Sequence, residues 1–455
     1  MSVNRRQFLQ GVAVAGAAGM AAGAAQRSAN ARAVGDRPNI VMILPDDIGW
    51  NDVGYHGSQI RTPNIDALAA GGTRFQQHYV SPTCSPTRAG ILTGRNPAHF
   101  NVLGPLGQTT EVRPEDMRLT FGLRAAGYRT HIVGKWHIGD VPENRPLNYG
   151  FDTSYGYLRG QIDPYTHRYK HGDYVTWHRN DEFIEERGHV TDLITEEAVR
   201  VIEQADEQPF FLYLCHHAPH FPCNEPPSWI EPYEDVFEDV WRRHFAAAVS
   251  HMDDGIGQVI AALERTGQRE NTIIVFLSEN GGQENWNAPQ TEYNGRYAPH
   301  TRLGDNTPLR GWKATLYDGG VRVPALVNWP GVIAAGGEVA EPTHMTDWAA
   351  TLLPRAGAAP DPAWQLEGEN LWPSFTEGAP ALAPRQIYWN HGGRLWALRE
   401  GDWKLIDHGD DRLELFNMRE DPNETTDLAD AQAERVRALH ATLEDWRTRT
   451  EAERT

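Results

Sequence analysis

NIVMILPDD, residues 39–47, is the stretch on which the fold turns. The run NIVMIL follows Pro38 and has the length and flanks of a buried strand. The acidic turn Pro45-Asp46-Asp47 comes straight after it, and side chains at a strand's C-terminal end are well placed for a site. Thr62-Pro63 then opens a helix through Ala70 that Gly71-Gly72 stops, with proline first and glycine last. Strand and helix keep alternating: residues 119–126, 192–204 and 240–265 read as helices, and 130–133, 210–214 and 272–277 as strands. Such alternation predicts an α/β fold, a mostly parallel mixed sheet sandwiched by helices.

Residues 285–309 are polar and aromatic, rich in Asn, Pro and Gly, and without period, which predicts a long functional or disordered loop. Past a Pro/Ala/Gly-rich connection over 354–384, the segments 386–388, 396–399, 403–406 and 413–417 read as short strands, and 431–449 as a helix. They predict a small C-terminal α+β subdomain. The expected division is a leader in 1–33, a main domain over 36–380 and the subdomain over 385–455. The leader reads NRRQFLQG, then an Ala/Gly/Val stretch and small-residue cleavage sites around Ala31 and Ala33, and so resembles a twin-arginine export signal. Export through that machinery predicts a periplasmic or secreted protein.

Lys and Arg total 42 against 61 Asp and Glu, a formal charge of −19. That excess disfavours nucleic acid and anionic membrane surfaces as partners, and no later run is apolar enough to embed in a bilayer. An anionic substrate must find a locally positive pocket. The three cysteines, Cys84, Cys215 and Cys223, cannot form a disulfide framework. A Cys215–Cys223 bridge stays open beside the expectation of two free thiols.

CSPTRAGILTGR, residues 84–95, carries the chemistry. Ser85-Pro86 starts a helix, so Cys84 sits at the positive end of a helix dipole with Arg88 one turn along, a position suited to an anion. The string Cys84-x-Pro86-x-Arg88 with Leu92-Thr93-Gly94-Arg95 resembles the signature of type I, formylglycine-dependent sulfatases of the alkaline phosphatase-like superfamily. PDDIGWNDVGYHG (45–57), TPNIDALAAGGTRF (62–75), GKWHIG (134–139), APHFP (218–222), ENGG (279–282), PLRGWKATLYDGGVRVP (308–324) and ALREGDWKLI (397–406) match further family motifs in order.

The resemblance implies that a formylglycine-generating enzyme converts Cys84 to Cα-formylglycine, and that Asp46, Asp47, Glu279, Asn280 and residue 84 hold one Ca2+ ion. Glu279 departs from the family's usual Asp, keeping the carboxylate but lengthening its reach. Hard cations favour such oxygen donors. Arg88, Lys135, His137, His220 and Lys313 match the sulfate-binding and proton-transfer groups: His220 with Lys313 for the leaving alcohol, His137 for the hydrate's second hydroxyl, Lys135 for hydrate and sulfate. Thr166 or His167 in DPYTHRY (163–169) is a looser match to a site residue, and His216 is expected to be structural.

The implied function is hydrolysis of a sulfate ester. YGYLRGQIDPYTH, ENGGQ and NTPLRG resemble the glycan-acting branch around N-acetylgalactosamine-4-sulfatase, which points to a sulfated carbohydrate. The 285–309 loop, with Trp286, Tyr293, Arg296, Tyr297, His300, Arg302 and Asn306, is expected to overhang the pocket and offer aromatic faces to sugars. Two alternatives stay open: a phosphonate monoester or phosphodiester hydrolase on the same site, and a non-catalytic sulfated-glycan-binding protein with Cys84 unconverted.

Overall fold

Ile40, Val41, Met42 and Ile43 are all fully buried because they point alternately into two separate cores. Ile40 and Met42 pack with Ala89, Leu92, Leu119, Leu123 and Leu352, whose helices are Cys84–Thr93, Arg118–Ala125 and Asp347–Arg355. Val41 and Ile43 pack with Ile194, Ala198, Met252 and Val259, from the helices Val190–Gln204 and Val240–Arg265. A strand apolar at every position is what such a sandwich requires. The computed structural model describes residues 37–170, 174–375 and 382–454; the leader expected in 1–33 lies outside them.

The strand Asn39–Ile43 sits in the middle of a ten-stranded sheet. Thr272–Leu277 flanks it on one side, and Phe210–Cys215, Arg129–Lys135 and Thr153–Tyr157 follow on the other, all mutually parallel. Antiparallel strands close both sides, Ala325–Asn328 against Thr272–Leu277 and Trp177–Arg179 against Thr153–Tyr157. The expected mostly parallel mixed sheet is therefore present. Parallel register has a direct consequence for chemistry, since every central strand ends on the same edge. Asp46-Asp47, Glu279-Asn280, His216 to His220 and Lys135 to His137 all emerge there. At Gly134, facing Cys215, φ is +108° and a Cβ would lie 1.8 Å from the Cys215 carbonyl oxygen, so only glycine lets these two strands close up.

The C-terminal strands Gln386–His391, Leu395–Glu400, Trp403–Asp407 and Leu413–Asn417 form a separate antiparallel meander. One face meets Val436, Leu439, Leu443 and Trp446 of the helix Ala433–Ala452. The other, with Ile387, Trp389 and Phe416, covers Tyr79, Leu316 and Val321. Lys404 spans this junction, fully buried, 2.8 Å from both Asp318 Oδ1 and Glu424 Oε1. The small sheet thus backs the two segments that carry Cys84 and Lys313. Lys404→Ala should leave buried carboxylates unpaired and cost about 3–5 kcal/mol of stability, read as a lower denaturation midpoint in urea.

Behind the site, the His251 ring bridges two acids, Nδ1 to Glu225 Oε2 at 2.7 Å and Nε2 to Asp192 Oδ1 at 2.9 Å. Burial alone would lower its pKa, but Glu225 and Asp192 outweigh it and raise it above the usual 6.5. A raised folded-state pKa contributes stability that is fully present below about 6.5 and lost as pH rises through the folded value. Thermal midpoints measured from pH 6 upward should fall more steeply for the wild type than for His251→Gln.

Candidate active site

Each predicted residue reaches the strand-end edge by its own local device. Cys84 is the first residue of the helix Cys84–Thr93, after an extended Thr83, and is 3% exposed. Arg88, one turn on, is fully buried and donates from Nη1 to the Lys135 carbonyl at 2.5 Å. Lys313 stands on a loop clipped at both ends, its own N–H to Gly282 O and that of Ala314 to Pro82 O. Asp47 and His137 have positive φ, 74° and 58°, a backbone cost on the order of 1–3 kcal/mol each that clusters at functional sites.

The charges interlock. Lys135 Nζ lies 2.5 Å from Asp46 Oδ2 and 2.9 Å from Glu279 Oε1, and Arg88 Nε lies 2.6 Å from Glu279 Oε2. Lys313 Nζ and Asn280 Nδ2 both donate to Asp47 Oδ1, at 2.6 and 2.7 Å. Burial would raise the Glu279 carboxyl, but Arg88 and Lys135 hold it well below the usual carboxylate range. Lys135 and Lys313 stay charged: burial opposes this, while Asp46, with Cys84 and Glu279, raises the first and Asp47 raises the second.

Four oxygens in this network have no hydrogen-bond partner although shielded from solvent: Asp46 Oδ1, Asp47 Oδ2, Asn280 Oδ1 and Glu279 Oε2, the last of which meets Arg88 only as an ion pair. Orphaned acceptors on adjacent strand ends cost free energy unless something electropositive meets them. Oxygen-only donors on two neighbouring strands fit a hard divalent cation such as Ca2+. Asp46, Asp47 and His220 also lie close enough to share an ion. Glu279 Oε1 accepts from Lys135 Nζ at 2.9 Å, and its Oε2 faces Arg88 Nε at 2.6 Å without hydrogen-bond geometry.

His220 donates from Nδ1 to the Phe221 carbonyl at 2.6 Å, which leaves Nε2 as its reactive nitrogen, 3.7 Å from Asp47 Oδ2. Burial, then Lys313 and Lys135, hold it neutral. Burial and Lys135 do the same for His137, whose backbone N–H is tied to Leu158 O. His137 also owes its place to Gly160, where a Cβ would fall 2.5 Å from its ring.

The family model for sulfatases matches residues 38–358. This chain belongs to the sulfatase family. A second model, the C-terminal region of N-sulphoglucosamine sulphohydrolase, matches residues 311–449 of this family member. Mouse arylsulfatase J is 33% identical over 408 residues, 81% of this chain but 64% of that protein, so the chain spans about two thirds of it. Mouse N-acetylgalactosamine-6-sulfatase is 32% identical over 397 residues, 81% of this chain and 71% of that one. The crystal structure of Ps i-CgsB has a TM-score of 0.80 at 30% identity, covering 90% of this chain and 93% of that chain. That protein has also been solved in complex with k-i-k-neocarrahexaose.

In this sulfatase-family fold several expectations at the periphery change. His167 stacks on Trp177 and bonds Gly188 O, while Thr166 is exposed, so neither joins the charged cluster. His216 is fully buried beyond its strand, as a structural residue would be. Cys84, Cys215 and Cys223 are all free thiols. The 285–309 loop is pinned: Arg296 and Tyr297 bond Asp163, Tyr293 bonds Gln161, and Trp286 stacks on Phe221. Trp286, Tyr293 and His300 are buried in its own aromatic cluster, because an unstructured span this long needs a core of its own. The sequence did not single out Asp163 and Gln161 as its anchors, since their pairing with residues about 130 positions away is set only by packing.

Adding Ca2+ should raise the thermal midpoint of the wild type by mass action. The Asp47→Ala chain should show no such shift, measured by differential scanning calorimetry with EDTA-treated protein.

Proposed function

We propose that this protein hydrolyses a sulfate ester on a carbohydrate. The observation that carries the reading is the convergence of orphaned carboxylate and amide oxygens with three buried cations around residue 84. Counted by formal charge, Asp46, Asp47 and Glu279 balance Arg88, Lys135 and Lys313, although burial and the neighbouring Glu279 push the Asp46 carboxyl up. A divalent cation together with a sulfate monoester and an ionised nucleophile leaves that balance intact, which a dry pocket demands.

Asp46, Asp47 and Asn280 would hold Ca2+, which supplies Lewis-acid polarisation of a sulfate oxygen and of the nucleophile. Formylglycine at residue 84 would supply a hydrated aldehyde, whose one hydroxyl attacks sulfur while the other allows sulfate to leave afterwards. Its place at a helix N-terminus favours the anionic form. Lys135 and Lys313, paired with Asp46, Glu279 and Asp47 at the strand-end edge, would orient the sulfate oxygens and the attacking group. His220 has Nε2 free, and an arriving sulfate opposes the lysines that hold it neutral, so it would carry a proton to the leaving oxygen. His137, also neutral, would take the proton from the second hydroxyl.

A carbohydrate is favoured by the relatives, an N-acetylgalactosamine-6-sulfatase and a protein solved with a neocarrahexaose. The twin-arginine leader and a formylglycine-generating enzyme belong to the same reading, placing the working protein in the periplasm or outside the cell.

Mass analysis of the tryptic peptide 75–88, from a host that contains the converting enzyme, should show an aldehyde at residue 84; a thiol would leave only a binding protein. Turnover should favour aryl sulfate over phenyl phosphonate, and the reverse order would reassign the reaction. His220→Ala should lower kcat on an unactivated alkyl sulfate by about 100-fold or more, and on a nitrophenyl sulfate by far less, because only the poorer leaving group needs the proton.

A further inference from the structure

Arg159 stands in the wall of the site. Its neighbours on both sides touch His137: Leu158 O accepts the His137 N–H at 3.0 Å, and Gly160 packs on the ring. The Arg159 side chain is only 11% exposed and is held from three directions. Nε lies 2.7 Å from Asp140 Oδ2, and the guanidinium carbon lies 5.2 and 5.1 Å from the ring centroids of Tyr169 and Tyr174. Tyr174 in turn donates to the same Asp140 oxygen at 2.7 Å, so the holding groups brace one another.

This clamp engages Nε and leaves the other two nitrogens over. Nε meets Asp140 as an ion pair, and neither Nη1 nor Nη2 makes a hydrogen bond to a described residue, on a side chain that keeps 11% exposure. Nη1 points past Gly107, where a Cβ would come within 3.8 Å. The neighbouring Leu106 N–H bonds Ser85 Oγ at 2.9 Å, beside Cys84. The fork therefore lies between the segment that touches the residue after Cys84 and the segment that positions His137. A planar guanidinium with its rotamer already fixed loses little entropy on binding and matches a carboxylate or sulfate through two parallel hydrogen bonds. A chain of net charge −19 also needs local cations wherever a polyanion is to approach.

We propose that Arg159 receives a second anionic group of the substrate, a carboxylate or sulfate on the sugar adjoining the one whose sulfate is removed, and so selects polyanionic glycans. This rests on the carbohydrate sulfatase reading. The geometry names the chemistry, and matched substrates separate its two sources.

The test compares kcat/KM on three oligosaccharide sulfates that share the scissile sulfate and differ in the adjoining sugar: neutral, uronate or sulfated. The wild type should prefer one anionic member over the neutral one. Arg159→Met should shrink that preference by about 10- to 100-fold, the range for a charged hydrogen bond, through KM more than kcat. Arg159→Lys should restore only part, because it keeps the charge and loses the fork. The arm whose preference collapses identifies the source. Equal losses on all three substrates, or no preference in the wild type, would overturn the proposal. Calorimetric binding of the same three oligosaccharides to Cys84→Ala chains, with and without Arg159→Met, separates this from the hydrolysis reading. Arg159-dependent binding without turnover in the wild type would sink hydrolysis and keep the selective fork; turnover without Arg159-dependent discrimination would do the opposite.

Discussion

The structure depends on holding like and unlike charges together where water cannot screen them. Asp46, Asp47 and Glu279 are fully or almost fully buried, as are Arg88 and Lys135, and each makes contacts of 3 Å or less with an opposite charge or a polar partner. An unpaired charge at such depth costs several kcal/mol, so no one of these groups is free to move alone. The parallel sheet is what brings them to one edge, and the two cores beneath keep the strand ends from separating. Local backbone cost at Asp47 and His137 is tolerated because the surrounding pairs fix those residues from several sides.

Glu279 ties two cations to one carboxylate, Oε1 to Lys135 and Oε2 to Arg88 as an ion pair, while Asp46, Asp47 and Asn280 each keep an oxygen without a hydrogen-bond partner. Arg88 and Lys135 are thereby held together by a single buried carboxylate. The C-terminal sheet takes part at a distance. By packing on Tyr79, Leu316 and Val321 it fixes the segments just before Cys84 and just after Lys313.

Much was legible in the chain because the signals were local. Apolar runs of strand length, helix starts with proline and stops with glycine gave the alternation, and helices and strands such as 240–265 and 272–277 fall where their pattern places them. The motifs that resemble the sulfatase family likewise singled out Cys84, Arg88, Lys135, His220, Lys313 and the strand-end acids, which lie in short local strings of sequence. The 285–309 loop was harder. Its aromatic residues read as a surface offered to a ligand, yet Trp286 and Tyr293 are used to build the loop's own core against Phe221 and Gln161. Composition does not say which side of a ring faces inward.

The sequence by itself determined the order of elements, because periodicity and turn chemistry act between near neighbours, and its resemblance to a known family named the charged groups. Only the tertiary structure decided which charge pairs with which. The two cations on Glu279, the pinning of the loop on Asp163 and the clamp of Asp140 and Tyr174 on Arg159 all join residues that are not neighbours in the chain. Such pairings follow from packing in three dimensions, where one strand register changes the partner.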